Sequence, residues 1–471
     1  MKIILATAEL SPWAHEGDTG NTASGLARGL QASGADVVVA VPDYPAFAGV
    51  RGLARGKRRT MRVSATDAAW RAAWTEAELD GLRLALVEKP EFFDRAGIYG
   101  AGDSVYDDNF ARFAFFARAV WQMAGALSAD LVHGLDWPGA LVAALGRRGQ
   151  TPATFGVEGL RFQGDFTPGQ FSLSGLPWED FPLFEFYGRG NPLKAGLLTA
   201  SAVVLPGARM AHMVQSPGAG CGLEGAAASV APRLHGILAG ADYDGWLDAR
   251  SAEGRRRKAV VRREWLSAMK LKPLDDEGML LVLPSALCGG RGLDLLLPVL
   301  DRIMEFPVRL VLLGRPPLAL APAFQLTAMR HAGRLLVHDG DELPVLRSAC
   351  AAADAILLTD APEPADLRLA CAMRAGAVPL AQSCPGLHEI VQDDDPSGHP
   401  GTGLVYYRHD PEGLWDNFVR AAGLRRRGGW DALVARAAAA DFSWESAGER
   451  YGKLFRSLAG PVRRGGKHPR A

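Results

Sequence analysis

The stretch "KIILATAELSPWAHEGDTGNTASGLARGLQASGADVVVAVP", Lys2 to Pro42, decides the fold. Its ends, "KIILATA" and "ADVVVAVP", are short apolar runs of the kind that form strands buried on both faces. Between them Ala23, Leu26, Ala27 and Leu30 recur at helical spacing, and Gly34 supplies a helix stop. Strand, loop, helix and strand in this order predict an alternating α/β unit with a mostly parallel sheet. The loop "ELSPWAHEGDTGNTASGL" lies where a strand ends and a helix begins, a place suited to a phosphate. Its Glu16 and Asp18 oppose that use, because an anion wants donors and positive charge there.

The alternation continues outward. "GLRLALVE" and "ADLVHG" read as strands, "DNFARFAFFARAVWQMAGAL" as a helix between them, and "SAVVLPG" closes a first α/β half. Residues 244–276 are charged and helix-prone, with "RRRKAVVRREW" at their centre, and read as an inter-domain linker. A second series follows: "MLLVLPSAL", "GLDLLLPVLDRIM", "VRLVLLG", "RLLVHDG", "DAILLT", "ADLRLACAMRAG" and "AVPLAQ". The expected organisation is a first domain at 1–243, a second at 277–440, and a C-terminal helix at 441–459 returning toward the first. The tail at 460–471, "GPVRRGGKHPRA", has no apolar periodicity and reads as disordered.

Composition narrows the function classes. The 471 residues are 48% hydrophobic and carry 52 basic against 52 acidic side chains, so bulk charge calls for neither nucleic acid nor an anionic membrane. The five cysteines, Cys221, Cys288, Cys350, Cys371 and Cys384, stand singly, without the spacing of a zinc site or redox pair. No apolar run approaches the roughly 20 residues of a membrane span. A cytoplasmic protein with reduced thiols, without a bound metal or cofactor and without a nucleic-acid or membrane partner, is expected. Its oligomeric state is not written in any motif.

Several ordered motifs carry a family resemblance. "NPLKAGLLTASAVVLPGARMAHMVQSPGAGCGLEG", Asn191 to Gly225, and "DFSWESAGERYGKLF", Asp441 to Phe455, are its strongest parts; "YDDNFARFAFFARA", "FQGDF", "GILAGADYDGWL" and "RGLDLLL" fit in the same order. The chain resembles the bacterial glycogen synthases and plant starch synthases, glucosyltransferases that use ADP-glucose. The resemblance implies the GT-B fold, two Rossmann-like domains with the sugar nucleotide between them at the carboxyl ends of the strands. It also implies ADP-glucose as donor substrate, an α-1,4-glucan acceptor such as glycogen, and transfer with retention to the non-reducing end.

The resemblance names the site residues one by one. In the first loop His15 takes the place of a phosphate-contacting lysine, Gly17 and Gly20 keep glycines that approach the ligand, and Asp18 replaces another glycine. "HGLDW" keeps Asp136, and "FGVEGLRFQG" puts Glu158 where an active-site histidine would orient the glucose. "PSALCGGRGLDLLL" places Arg291 and Gly292 on the family's lysine and glycine, and Ala286 on its arginine. "EPADLRLACAMRAGAVPLAQSCPGL" puts Glu363 on the carboxylate that supports the developing cationic sugar, and Pro385 and Gly386 on a glycine turn. Asp366 and Arg368 replace a glycine and a small hydroxyl residue at the start of that helix.

These residues set the expected site. Glu363, Asp136 and Glu158 would act on the sugar; His15, Gly17, Gly20, Arg291, Gly292, Pro385 and Gly386 would hold the donor. The replacements keep three readings open: an active synthase, a catalytically impaired paralogue that binds glucan or regulates a partner, and a transferase with an altered donor.

Overall fold

The computed structural model describes every residue except 67–68, 103, 276, 289–290, 361–365, 396 and 460–471. The chain divides into two compact units, one of Met1–Gly240 joined by residues from Ser443 onward, the other Ala241–Phe442.

The first unit is built on one nine-stranded sheet. Its opening elements are β1 (Lys2–Ala6), α1 (Thr19–Ala32), β2 (Asp36–Pro42), β3 (Ala54–Ser64), β4 (Ala69–Leu79) and β5 (Leu82–Glu88). The strand order is Leu234–Gly236, Ala202–Leu205, Ala153–Gly156, Leu131–Leu135, β1, β2, β5, β4, β3. All pairings are parallel up to β5. The last two, β5 with β4 and β4 with β3, are antiparallel. Sequence reading missed this edge hairpin, because β3, "ARGKRRTMRVS", carries five cations and only its inward Val63 is fully buried. The central strands are apolar throughout, as strands covered on both faces must be: Ile3, Ile4, Leu5, Leu131 and Val132 have no exposed surface.

The last helix, Trp444–Ala459, belongs to this unit and seats Tyr451 and Phe455 in its core. Glycines permit the approach. A Cβ on Gly29 would stand 2.0 Å from the Trp444 carbonyl oxygen, and one on Gly448 would stand 2.1 Å from the backbone of Gly29. The opening βαβ unit is therefore locked against the other end of the chain.

The second unit holds a six-stranded, wholly parallel sheet in the order Leu335–His338, Val308–Leu313, Met279–Pro284, Ala355–Leu358, Val378–Gln382, Leu404–Tyr406. Its apolar strands pack against amphipathic helices such as Leu293–Ile303, whose Leu293, Leu296, Val299, Leu300 and Ile303 are buried.

One expected boundary is corrected. The charged segment 244–276 is not a linker, because its helix Ala252–Ala268 packs inside the second unit. Lys258, only 6% exposed, donates to the carbonyl oxygens of Cys350, Ala351 and Ala375 at 3.3, 3.2 and 2.9 Å. Arg262 pairs with the buried Asp354. Charge marked this segment as exposed, but its cations cap the ends of neighbouring helices. The tail expected to be disordered lies outside the described residues. Among the described residues, no helix is long and apolar enough to cross a membrane.

Candidate functional site

In the first unit the site residues gather where β1, Leu131–Leu135 and Ala153–Gly156 reach their carboxyl ends. Asp136 follows directly on its strand with φ at +55°, a left-handed turn that an aspartate tolerates better than most residues. The Thr19 hydroxyl donates to its carboxylate at 3.3 Å, and the backbone N–H groups of Glu158 and Gly159 donate to it as well. Its other oxygen, Oδ1, is buried without a partner among the described residues. Glu158 accepts from the Thr22 hydroxyl at 2.8 Å. Thr19 and Thr22 lie one turn apart on α1, so one helical face supports both acids.

Burial sets the charge of this pair. Desolvation pushes Asp136 up to about 7, against the opposing hydrogen bond from Thr19. Desolvation also pushes Glu158 up to about 7, with the negative charges of Asp136 and Asp18 adding to it. Each acid is therefore poised near neutrality. It can offer a proton to a sugar hydroxyl or accept one from it.

The opening loop resolves its own contradiction. The Glu9 carboxylate, from a residue only 3% exposed, accepts from the N–H groups of Glu16 and Gly17 at 2.8 and 2.9 Å and from the Tyr99 hydroxyl at 3.0 Å. Glu16 in turn accepts from the N–H of Ile98 at 2.6 Å. Backbone amides that could receive a phosphate are thus held by a carboxylate of the same loop. His15 and Gly17 are exposed, and a Cβ on Gly17 would meet nothing within 4 Å. Gly20 is inside α1, packed on His15 and Ser11, where its role is close approach between loop and helix. His133, next to this cluster in sequence, is fully buried: Nδ1 lies 2.8 Å from the Thr154 hydroxyl, and desolvation holds the ring down at about 3, so it stays neutral.

The second unit supplies the cations. Arg291, 62% exposed at its side chain, pairs with Asp360 at 2.9 Å, and its carbonyl accepts from the Thr359 hydroxyl at 2.7 Å. Gly292 starts the helix Leu293–Ile303 at φ +71°, and a Cβ there would stand 2.7 Å from the Thr359 carbonyl oxygen, so only glycine fits. Arg368 does more than fill space at the head of its helix. Its guanidinium is held by Asp366 and donates through Nη2 to the carbonyl oxygen of Ala286 at 3.0 Å. A guanidinium therefore stands beside the position where the resemblance would have had an arginine. Pro385 and Gly386 form the turn after strand Val378–Gln382. Glu363 lies outside the described residues.

Sequence reading missed Glu9, Thr19, Thr22 and Tyr99, and took Arg368 only as the replacement of a small residue at the start of its helix. The i, i+3 spacing of the two threonines was the available signal; the reach of Arg368 across to Ala286 had none. Among the described residues no group of three His, Cys, Asp or Glu side chains could hold a metal ion.

Residues 2–229 match the family profile of the starch synthase catalytic domain. Glycogen synthase 2 of Geobacter sulfurreducens is 30% identical over 485 residues, spanning 99% of this chain and 100% of that protein. A glycogen synthase of Anaeromyxobacter sp. (strain Fw109-5) is 31% identical over 98% of this chain and 100% of its own. Among solved structures, the catalytic domain of starch synthase IV from Arabidopsis thaliana bound to ADP and acarbose superposes with a TM-score of 0.72 at 22% identity, covering 98% of this chain and 99% of that one. Sucrose-phosphate synthase from Thermosynechococcus elongatus gives 0.53 at 14% identity, over 97% and 99% of the two chains. These structural likenesses establish the shared two-unit α/β fold of the GT-B glycosyltransferases.

Proposed function

Because this chain belongs to the glycogen and starch synthase family of glycosyltransferases, we propose that it transfers glucose from ADP-glucose to the non-reducing end of an α-1,4-glucan with retention. The bond from the anomeric carbon to the diphosphate breaks and one to the acceptor oxygen forms, the hydroxyl proton leaving with the departing diphosphate. Such a transfer needs cations at the departing charge more than covalent help.

The observation that carries this reading is the pair of guanidiniums in the second unit. Arg291 and Arg368 flank the carboxyl end of strand Met279–Pro284, each held by an aspartate. Arg368 supplies the guanidinium that Ala286 lacks, and the two cations can stand beside the charge of a departing diphosphate. Asp136 and Glu158 serve the sugar hydroxyls, and Glu363 the developing charge at the anomeric carbon. Gly292 lets the Arg291 turn close, while Pro385 and Gly386 line the donor. No cofactor is needed. The five free thiols accord with a cytoplasmic setting.

A second reading, a member that binds glucan without turnover, draws on a different observation. In the first unit Glu9 already occupies the loop amides, leaving His15, Gly17 and Gly20 a minor part in holding phosphate. Incubation with ADP-glucose and glycogen separates the two. ADP release with glucan extension is expected, reduced about 10²- to 10³-fold in Arg291→Ala. No ADP release, with glycogen still retarding the protein in an affinity gel, would overturn the first reading in favour of the second.

A further inference from the structure

The edge hairpin of the first unit carries an arrangement that the transferase reading does not use. In the antiparallel register of β3 and β4, Arg62 stands directly opposite Arg71. Directly opposed residues project from the same face with their Cβ atoms about 5 Å apart, and like charges there destabilise the pair. The opposite face of the hairpin is taken up by Val63, buried in the core, and by Trp70, packed on Phe92 and Phe115. Both arginines are exposed, and both line one hollow of about 730 Å³.

The charges around that hollow do not cancel. Its lining includes four cations, Arg58, Arg62, Arg71 and Lys89, against two carboxylates, Glu88 and Glu91. Arg58 pairs with Glu88 at 2.8 Å and Lys89 with Glu91 at 2.9 Å. Glu88 also accepts from the Thr75 hydroxyl. Every carboxylate of the lining is therefore engaged, and Arg62 and Arg71 form the surplus; no ion pair involves either among the described residues. Thr60 and Ala73, on the same face, give a small-residue floor.

We propose that this hollow binds a small phosphate-bearing molecule, with Arg62 and Arg71 gripping one phosphate between them. Two guanidiniums set about 5 Å apart at their roots can converge on a single tetrahedral oxyanion, each through two N–H groups. An anion there turns the repulsion across the register into a shared attraction. The hollow is large enough for a phosphate with a sugar or nucleoside attached, since small-molecule sites run from about 300 to 1,000 Å³. Thr60 and the rim pair Lys89–Glu91 supply polar contacts for that organic part. The proposal does not depend on the transferase reading.

Calorimetric titration of the full-length protein tests it, with inorganic pyrophosphate and glucose 1-phosphate as probes. The same titrations on Arg291→Ala tell the two sites apart: heat from the hollow persists there, and heat that disappears with Arg291→Ala belongs to a donor site and would overturn the proposal. One saturable site is expected, weakened at least tenfold in the double variant Arg62→Gln/Arg71→Gln and unchanged in Lys57→Gln, which removes a cation of the same strand that does not line the hollow. Circular dichroism and glucosyl transfer on the double variant report whether the hairpin remains folded. Tighter binding of the sugar phosphate than of pyrophosphate identifies the organic part as recognised; the reverse order restricts the site to the bare oxyanion. Non-saturating heats that fade with salt in wild type and double variant alike would overturn the proposal and leave the arginines as a charged guard on an edge strand.

Discussion

Replacing Glu158 by Gln should stabilise the first unit at pH 8 and leave it nearly unchanged at pH 4.5. Glu158 faces Asp136, Asp18 and the Tyr451 ring, and desolvation lifts its carboxyl from the ordinary 4.5 to about 7. A carboxyl whose folded pKa is raised binds more protons folded than unfolded, so stability falls as pH climbs from about 4.5 to about 7 and stays low above. The rise of about 2.5 units corresponds to roughly 3 kcal/mol at about 1.4 kcal/mol per unit. The solvent-facing edge of the side chain screens part of this, and about 2 kcal/mol is the expected gain. Gln keeps the shape and can still accept from the Thr22 hydroxyl, so the substitution isolates the charge. Asp136, next to it and lifted by the same desolvation, titrates with it as a pair, and the measured midpoint belongs to both. Urea unfolding followed at pH 4.5, 6 and 8 for wild type and variant gives the difference directly. A difference that is the same at all three values would refute the argument, because it would mean that Glu158 is ionised without penalty.

Three further outcomes follow from the packing and the cation geometry. Gly29→Ala forces a methyl to within 2.0 Å of the Trp444 carbonyl oxygen and should cost about 2–3 kcal/mol, read as a lowered melting temperature. Lys258→Met removes the donor shared by Cys350, Ala351 and Ala375 and should cost about 3 kcal/mol, seen as an earlier urea midpoint for the second unit. Arg368→Ala should lower kcat/KM for ADP-glucose about 10²-fold, and Ala286→Arg added to it should restore most of the loss; a double variant no faster than Arg368→Ala alone would show that the two positions do not serve the same charge.

The fold was legible because it rests on patterns that a short window contains. The apolar runs of β1 and β2 with a helical period between them announce a parallel βαβ unit, and the second series repeats the cue from Met279 onward. What the windows missed was set by partners distant in sequence. β3 shows one buried side chain and a row of cations, so nothing local marks it as a strand; pairing with β4 makes it one. The 252–268 helix looked like a solvated connector because its lysine and arginines are charged. Lys258 instead finds three carbonyls 92 to 117 residues away in sequence, which no reading of periodicity can supply.

The same distinction explains the site. Asp136, Glu158 and Arg291 were proposed from position alone, and the structure brings Asp136 and Glu158 together on the threonines of α1. Position alone also counted two losses, a lysine replaced by His15 and an arginine by Ala286. Geometry separates them. The first is a real closure: Glu9, held at 3% exposure, has taken the amides of Glu16 and Gly17. The second is a relocation, since Arg368 returns a guanidinium to the carbonyl of Ala286 from 82 residues downstream. The diphosphate of a sugar donor is therefore expected to draw its charge from Arg291 and Arg368 of the second unit, while Asp136 and Glu158 of the first, poised near neutrality, are suited to the uncharged hydroxyls of a sugar.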